Sequence, residues 1–180
     1  MIQPFAILLL LAAVFMLGSG CANLDATTPS VPKSVKAEHE DLHVGLANAM
    51  KTGGDTAKAA RQLEQVLHPH FLKEEQYALP PLSLLPGLAN GTVGADSPRA
   101  KAAIEMSDRL RAEYPQMLKE HGEVGAALER LIAAAGRENK PEVAEWARRL
   151  MAHAKNEEEV LYPAAMLVGE YLKLKARLPD

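Results

Sequence analysis

The apolar residues after position 33 recur at intervals of three and four, which is the spacing of helices with one buried face. The first predicted helix begins with Ser34 as its N-cap and ends near Met50, just before Gly53 and Gly54. The side chains expected on its inner face are Val35, His39, Leu42, His43, Leu46 and Met50. This pattern predicts a helix whose buried face carries two histidines among apolar residues.

A second predicted helix follows at once and shows the same mixture of apolar and polar residues. We expect Asp55 or Thr56 to be its N-cap, and Pro80 and Pro81 to end it. The side chains expected on its inner face are Leu63, Leu67, His70, Glu74 and Tyr77. Residues 86–97 are rich in Gly, Pro and Asn, so we expect a long loop there.

The rest of the chain predicts a second pair of helices. Ser97 and Pro98 begin a helical segment, because a proline is well tolerated in the first turn of a helix. We expect Pro115 to divide this segment into a lead-in helix and a third core helix over about residues 116–135. The fourth helix begins at Pro141, again with proline in the first turn. The side chains expected on its inner face are Trp146, Leu150, His153 and Glu157.

The two helix pairs repeat the same residues at a separation of 82 or 83 positions. The matched residues are His39 and His121, His70 and His153, Glu74 and Glu157, and Pro80 and Pro163. Short connections within each pair predict antiparallel neighbours. The sequence therefore predicts an all-α fold, an antiparallel up-down four-helix bundle of two repeated helix pairs with an extra lead-in helix before the third core helix.

The repeated polar residues have the spacing of metal ligands. His70 and Glu74, like their counterparts in the second copy, are four positions apart and therefore lie on one helical face. With the two further matched histidines they form a mixed nitrogen and oxygen set, which suits iron, manganese or zinc better than calcium or magnesium. A single histidine on an apolar face is more often a core residue than a ligand. Two unpaired buried carboxylates would be costly, however, so the repetition favours a two-metal site.

Composition and the N-terminal residues limit the class of protein. The net charge is −3 and no run of Lys or Arg occurs, which argues against a nucleic-acid partner. Cys21 is the single cysteine, so the chain has no intramolecular disulfide. Residues 1–21 carry no charge and read as an export signal. We predict a flexible tether over residues 22–33 and one domain over residues 34–180.

The residues before Cys21 resemble a bacterial lipobox, in which the cysteine is lipidated and becomes the new N-terminus. That resemblance implies an exported, periplasmic lipoprotein held at the membrane by its lipid. A cleaved secretory signal and an uncleaved N-terminal anchor are the alternatives. The outer faces of the predicted helices have no second apolar stripe that would indicate an oligomeric state.

The order and spacing of the repeated residues, over about residues 33–175, resemble the hemerythrin-like (HHE cation-binding) domain. The resemblance implies a four-helix bundle around a non-haem centre of two iron ions, although other divalent transition metals can bind such ligands. It implies four terminal ligands, His39, His70, His121 and His153. It also implies two bridging carboxylates, Glu74 and one glutamate of the fourth helix.

The sequence leaves two ligand assignments undecided, the role of His43 and the choice between Glu157 and Glu158. Oxygen-carrying hemerythrins have a second histidine one turn after the first on the third helix, where this chain has Gly125. His43 stands in the corresponding place on the first helix, and it is either a fifth imidazole ligand or a histidine outside the site. The bridging acid of the fourth helix is Glu157 by the internal repeat and Glu158 by the spacing in hemerythrins, and we expect Glu157. The acids expected to hold imidazole N–H groups or to face solvent are Glu38, Glu75, Glu120 and Glu159.

The resemblance implies a binding protein rather than an enzyme. Such a centre binds dioxygen, nitric oxide or a small anion reversibly, as a carrier or a sensor. One alternative is an exported protein that stores or scavenges iron, and another is an enzyme that processes peroxide or nitric oxide. Oxygen activation at carboxylate-bridged iron usually draws on more carboxylates and fewer histidines than this chain offers. No Ser/His/Asp arrangement, phosphate loop or nucleophilic cysteine indicates other catalysis.

Overall fold

The computed structural model describes residues 27–178. The predicted export signal, the lipidation of Cys21 and the first part of the tether lie outside the described residues. Between residues 27 and 178 the chain is all-helical and contains no β-strand, in agreement with the predicted fold class. In the same range, no helix has both the length and the apolar character that crossing a membrane requires.

The described residues form a helical bundle. Its α-helices are α1 (Lys33–Lys51), α2 (Gly54–Lys73), α3 (Leu85–Ala89), α4 (Pro98–Arg137), α5 (Pro141–Asn156) and α6 (Tyr162–Lys175). Two π-helical turns, Glu74–Ala78 and Glu157–Leu161, continue α2 and α5, and a 3₁₀ helix, Pro80–Leu84, precedes α3. Helix α1 packs against α2 and α5, while α4 packs against α2, α5 and α6.

Two apolar clusters lie on either side of a layer of buried polar residues. Along α2 and its π-helical turn, Phe71 belongs to the first cluster and Tyr77 to the second, with Glu74 between them. The other half of the chain repeats this order, with Leu150 in the first cluster and Tyr162 in the second. The apolar residues on both sides therefore limit the access of water to the polar layer.

Each π-helical turn begins at a glutamate of the repeat and is followed by a proline. The N–H of Leu79 donates to the carbonyl of Glu74 at 2.9 Å, and the N–H of Tyr162 donates to the carbonyl of Glu157. A proline lacks an N–H and crowds the carbonyl four residues before it, and a wider turn relieves this crowding. Such turns are rare and frequently occur at functional sites. They place residues 79 and 162 at matched, fully buried positions.

The prolines of the two copies affect the chain differently. Pro80 ends the helical continuation of α2, as predicted, and begins the 3₁₀ helix. Pro163 lies in the first turn of α6, so that the fourth helix of the bundle continues beyond it. The predicted loop over residues 86–97 is shorter than expected, because its first residues belong to α3.

Helix α4 is one helix of 40 residues, so the predicted division at Pro115 into a lead-in helix and a third core helix is wrong. Leu110 and Met117, on either side of this proline, are fully buried in the same apolar cluster. Packing on both sides holds the helix together although proline removes one backbone hydrogen bond. The predicted start is confirmed, because Ser97 Oγ accepts a hydrogen bond from the N–H of Ala100 at 3.2 Å.

The predicted N-caps of the first two helices are wrong. Helix α1 begins one residue before Ser34, the predicted cap. The predicted caps of α2, Asp55 and Thr56, lie inside that helix, and their N–H groups donate to the carboxylate of Glu138 at 2.7 and 3.1 Å. The side chain that satisfies the start of α2 therefore comes from the end of α4, far away in sequence.

Candidate metal centre

Six polar side chains meet in the buried layer between the two apolar clusters. They belong to α1, α2, α4, α5 and the two π-helical turns, and none of them is more than 6% exposed. These residues are His39, His70, Glu74, His121, His153 and Glu157. The structure thus brings together every residue predicted as a ligand except His43 and Glu158.

The six side chains form two groups of three. Half-site 1 consists of His39, His153 and Glu157, and half-site 2 consists of His70, His121 and Glu74. Within each group, the potential ligand atoms all lie within 4.8 Å of one another. Each half-site combines residues from both copies of the repeat.

In half-site 1, one oxygen of Glu157 faces two imidazoles. Glu157 Oε1 is 3.1 Å from His153 Nε2 and 3.5 Å from His39 Nε2. The ring of Phe71 stacks on that of His39, with centroids 4.6 Å apart, and helps to orient this imidazole. Ligand atoms about 2.0–2.2 Å from one ion are roughly 3.0–3.6 Å apart, so these separations suit a shared ion.

Half-site 2 has the same geometry. Glu74 Oε1 is 3.0 Å from His70 Nε2 and 3.6 Å from His121 Nε2. The two imidazole rings approach each other edge to face, with centroids 4.5 Å apart. These three atoms are therefore also arranged as ligands of one ion.

The two glutamates connect the half-sites. While Glu74 Oε1 faces half-site 2, its Oε2 lies 3.9 Å from His39 Nε2 in half-site 1. While Glu157 Oε1 faces half-site 1, its Oε2 lies 3.6 Å from His121 Nε2 in half-site 2. Each carboxylate thus presents one oxygen to each half-site, which is the arrangement of a bridge between two ions.

Each imidazole is held on its outer side by a further carboxylate. The pairs, with the distance from Nδ1 to oxygen, are His39–Glu75 (3.4 Å), His70–Glu120 (2.9 Å), His121–Glu158 (2.9 Å) and His153–Glu38 (3.1 Å). A carboxylate at Nδ1 orients the ring and directs Nε2 towards the centre. Every outer acid comes from a different helix than the imidazole that it holds.

Glu158 is one of these outer acids and lies outside both half-sites. Its carboxylate faces His121 Nδ1, whereas Glu157 lies four residues after His153, on the same buried face of the helix. The other three outer acids are among those expected in this role. Glu159, the fourth acid expected either to hold an imidazole or to face solvent, is exposed and forms an ion pair with Lys155 at 3.5 Å.

His43 does not face the centre, and its predicted inward orientation is wrong. The residue is exposed, and its ring contacts the edge of Phe71 with centroids 5.0 Å apart. His68, two positions before His70, is exposed as well. Neither histidine belongs to a group that could hold an ion in the part of the chain that the structure describes.

Tyr162 is a residue of the centre that sequence reasoning missed. Its hydroxyl donates a hydrogen bond to Glu74 Oε1 and lies 3.2 Å from His121 Nε2 and 3.4 Å from His70 Nε2. Its counterpart in the first copy is Leu79, so the repeat that indicated the other residues gives no signal here. The one available signal is a tyrosine next to the repeated proline.

The buried carboxylates hold protons on the imidazoles. Burial would lower the pKa of His121, but Glu157 and Glu74 outweigh it and raise this pKa to about 10. Burial also opposes protonation of His153, but Glu157 and Glu38 raise its pKa to about 9. Burial would raise the pKa of Glu157, yet the surrounding imidazoles, His121 first, hold it well below its usual range. A cation that binds here must therefore replace protons.

Buried side-chain atoms without a hydrogen-bond partner are concentrated in this layer. Among the described residues, those that face the centre are His39 Nε2, His153 Nε2, Glu157 Oε1 and Glu74 Oε2. The first three belong to half-site 1, and Glu74 Oε2 is 3.9 Å from one of them. His153 Nδ1, on the outer side of its ring, also lacks a hydrogen bond, as do Arg99 Nε and Trp146 Nε1 elsewhere. Leaving one such atom unpaired costs about 1–3 kcal/mol. One cation would be the partner of all four atoms, so the residues fit a transition-metal ion.

Comparison with known proteins gives one match. A family model described as the hemerythrin HHE cation binding domain matches residues 30–165, which include every residue of both half-sites. No curated protein and no solved structure matches the chain.

Proposed function

This chain belongs to the family of hemerythrin HHE cation-binding domains, and we propose that it binds two transition-metal ions between its helices. One ion is held by half-site 1 and the other by half-site 2, with Glu74 and Glu157 shared between them. The observation that carries the proposal is the convergence of two imidazoles and two carboxylates around half-site 1 through four buried atoms that form no hydrogen bond. Native interiors leave few buried polar atoms without a hydrogen bond, so four in one place support the proposal that a cation is their partner.

Both ions are proposed to be iron. Imidazole and carboxylate ligands suit iron as well as manganese and zinc, and the likeness to hemerythrins favours iron. When bound, a pair of iron ions supplies redox chemistry and open coordination positions for a small molecule. The chain's own residues orient the ligand atoms, bridge the half-sites and exclude water from the layer between the apolar clusters.

The small molecule is proposed to be dioxygen, nitric oxide or a small anion, and the protein a carrier or sensor rather than an enzyme. Four imidazoles and two shared carboxylates are richer in histidine than centres that activate oxygen usually are. In this proposal the helices of the bundle alternate in direction, as their short connections predict.

The proposal includes export to the periplasm and attachment to the membrane. It is supported by the uncharged, apolar N-terminal residues and by the small residues before Cys21. If a lipid on Cys21 is the anchor, Cys21→Ser should release the protein from membranes. Persistent attachment of this variant would indicate an uncleaved N-terminal anchor instead.

The test is the metal content of the full chain, purified in detergent, together with its absorption spectrum with and without dioxygen. We expect about two iron ions per chain and absorption that changes reversibly with dioxygen. His68→Ala is the control, because this exposed histidine is close to His70 in sequence but outside the centre. Rapid removal of the iron by a chelator, together with an absorption spectrum that does not change with dioxygen, would favour storage or scavenging. A folded chain without bound metal would contradict the proposal.

A further inference from the structure

The phenol of Tyr162 lies within half-site 2 and is not among the ligands that the repeat predicts. We propose that Tyr162 binds the ion of half-site 2 through its phenolate oxygen, and that half-site 1 has no such ligand. The inference rests on the proposed function, because it requires an ion at the centre. It makes the two ions chemically different although the histidines and glutamates around them are repeated.

The phenol oxygen has the position of a ligand atom. Tyr162 Oη is 3.2 Å from His121 Nε2 and 3.4 Å from His70 Nε2, and it donates a hydrogen bond to Glu74 Oε1. These separations resemble those from Glu74 Oε1 to the two imidazoles, which are 3.0 and 3.6 Å. Glu74 Oε1 and the phenol oxygen thus lie at similar distances from the same two imidazole nitrogens, as two ligand atoms of one ion would.

The hydroxyl of Tyr162 is directed only at the centre. Within residues 27–178, each of its hydrogen bonds involves a residue of half-site 2. The ring is fully buried, stacks on His121 with centroids 5.5 Å apart and meets the edge of the Tyr114 ring. A phenylalanine would fill this space equally well, so packing alone does not account for an oxygen among three potential ligand atoms.

In the part of the chain that the structure describes, no hydroxyl forms a hydrogen bond with a residue of half-site 1. Leu79 and Tyr162 are 83 positions apart, follow matched π-helical turns and are equally buried. Leu79 has no donor atom in its side chain. Half-site 1 therefore keeps a coordination position that half-site 2 fills with the phenolate.

Binding of the phenolate exchanges one bond for another. The O–H bond of Tyr162 breaks, a bond from its oxygen to the ion forms, and the proton passes to solvent. An anionic oxygen ligand favours ferric over ferrous iron, so the ion of half-site 2 is held more firmly in its oxidised form. A small molecule from solution would then have its binding position at half-site 1.

Resonance Raman spectroscopy of the full chain loaded with ferric iron tests this assignment. A phenolate bound to ferric iron absorbs visible light, and excitation in that band enhances vibrations of the tyrosinate ring. We expect these vibrations in the wild type, shifted in protein grown with ring-deuterated tyrosine. Full iron loading without these vibrations would overturn the inference and leave the proposed function standing. A folded chain that binds no iron would overturn both.

Single tyrosine variants locate the phenolate. Tyr162→Phe should keep its iron but lose the visible band and the vibrations. Tyr77→Phe is the matched control, because Tyr77 is also buried but donates to Glu113 at 2.7 Å, outside half-site 2. Vibrations that persist in Tyr162→Phe, or disappear in Tyr77→Phe, would overturn the inference.

If Tyr162→Phe does not fold, variants of the other tyrosines identify the residue from which the vibrations originate. The chain has four tyrosines, and the three others are Tyr77, Tyr114 and Tyr171. Vibrations that survive each of these three Tyr→Phe changes originate from Tyr162, as we expect. Vibrations that disappear in one of them originate from that residue, which would overturn the inference.

Discussion

Half-site 1 and half-site 2 contain the same ligand types, two imidazoles and one carboxylate, but different neighbours. The ring of Phe71 is an apolar neighbour of half-site 1 and stacks on His39. The residue that matches Phe71 in the second copy is Ala154, which has no ring. In half-site 2 the neighbour is the hydroxyl of Tyr162, whose counterpart is Leu79. The repeated residues account for the two proposed ion positions, and the unrepeated neighbours make these positions unequal.

The outer carboxylates also differ between the half-sites, because the one that contacts His70 is more buried than its counterpart that contacts His153. Glu120, which holds an imidazole of half-site 2, is 17% exposed and also accepts hydrogen bonds from Lys73 and Gln116. Burial would raise the pKa of Glu120, but His70, Lys73 and Gln116 hold it at about 2. Glu38, its counterpart in half-site 1, is 52% exposed. We therefore expect half-site 2 to be the more rigid of the two.

Removing a shared carboxylate should have the largest effect, because it acts on both half-sites. We expect Glu157→Gln to lose both ions. At free metal 100-fold above its dissociation constant, each bound ion stabilises a folded protein by about 2.7 kcal/mol, which is roughly 5–10 °C in Tm per ion for a chain of this size. Thermal unfolding with and without iron should show this shift in the wild type and none in the variant.

The neighbouring acid provides the control for that experiment. Glu158→Gln changes the adjacent residue in the same way, but its carboxylate holds only one imidazole from outside. This variant should keep most of the iron-induced shift in Tm. A full shift in Glu157→Gln would contradict a carboxylate shared between two ions.

Removing one imidazole should affect one half-site more than the other. His153→Ala is expected to lose the ion of half-site 1 and to keep the tyrosinate vibrations, whereas His70→Ala should keep one ion and lose those vibrations. Metal analysis and resonance Raman spectra of both variants measure the two effects. Loss of both ions in either variant would show that the half-sites do not fill independently.

Changing an outer carboxylate should weaken metal binding less, and by different amounts in the two half-sites. Loss of such a partner typically weakens metal binding roughly 10- to 100-fold, and we expect Glu120→Gln to fall in that range. Glu38→Gln should cost less, because this acid is half exposed and holds its imidazole less firmly. Competition with a chelator of known affinity measures both. Equal losses would contradict the difference in rigidity between the half-sites.

Alkaline pH should destabilise the chelator-treated protein and not the iron-loaded one. The ordinary pKa of histidine is about 6.5, and the pKa values of His153 and His121 are raised to about 9 and about 10. Their charged forms therefore stabilise the fold fully below about pH 6.5 and lose this effect as the pH rises through these values, His153 first. With iron bound, the imidazoles hold the ion instead of protons. Tm measured against pH with and without iron checks this, and a flat profile after chelation would contradict it.

The repeat carries most of the information that predicted the centre. His70 and Glu74 recur as His153 and Glu157 on helical faces that are otherwise apolar. Such faces pack together, so polar residues on them meet in the interior. The same periodicity and the short connections predicted the helical class of the fold, which the structure confirms.

The case of His43 shows that periodicity does not predict the burial of a residue at the edge of a helical face. The buried residues of α1 are His39, Leu42, Leu46 and Ala49, a seam with steps of three and four. A step of four residues turns a helix by about 400°, so His43 lies about 40° to one side of His39. Whether that flank is covered depends on how closely α2 and α5 approach, which the sequence of α1 does not specify.

The other differences arise from contacts between distant residues. Glu138 satisfies the start of α2, and Leu110 and Met117 keep α4 continuous through Pro115, because of packing that local sequence does not show. Tyr162 was missed for another reason. Matching the two copies finds residues that occur in both and passes over a residue that occurs in only one.

Because each half-site takes residues from both copies, metal binding should require that the two copies stay together. His39 of half-site 1 comes from the first copy and its partners from the second, while half-site 2 takes only His121 from the second copy. A chain cut within residues 90–97 would therefore yield two fragments, neither of which contains a complete half-site. Iron binding should return only when the fragments associate. A single-copy ancestor could have bound metal in this way only across the interface of a homodimer.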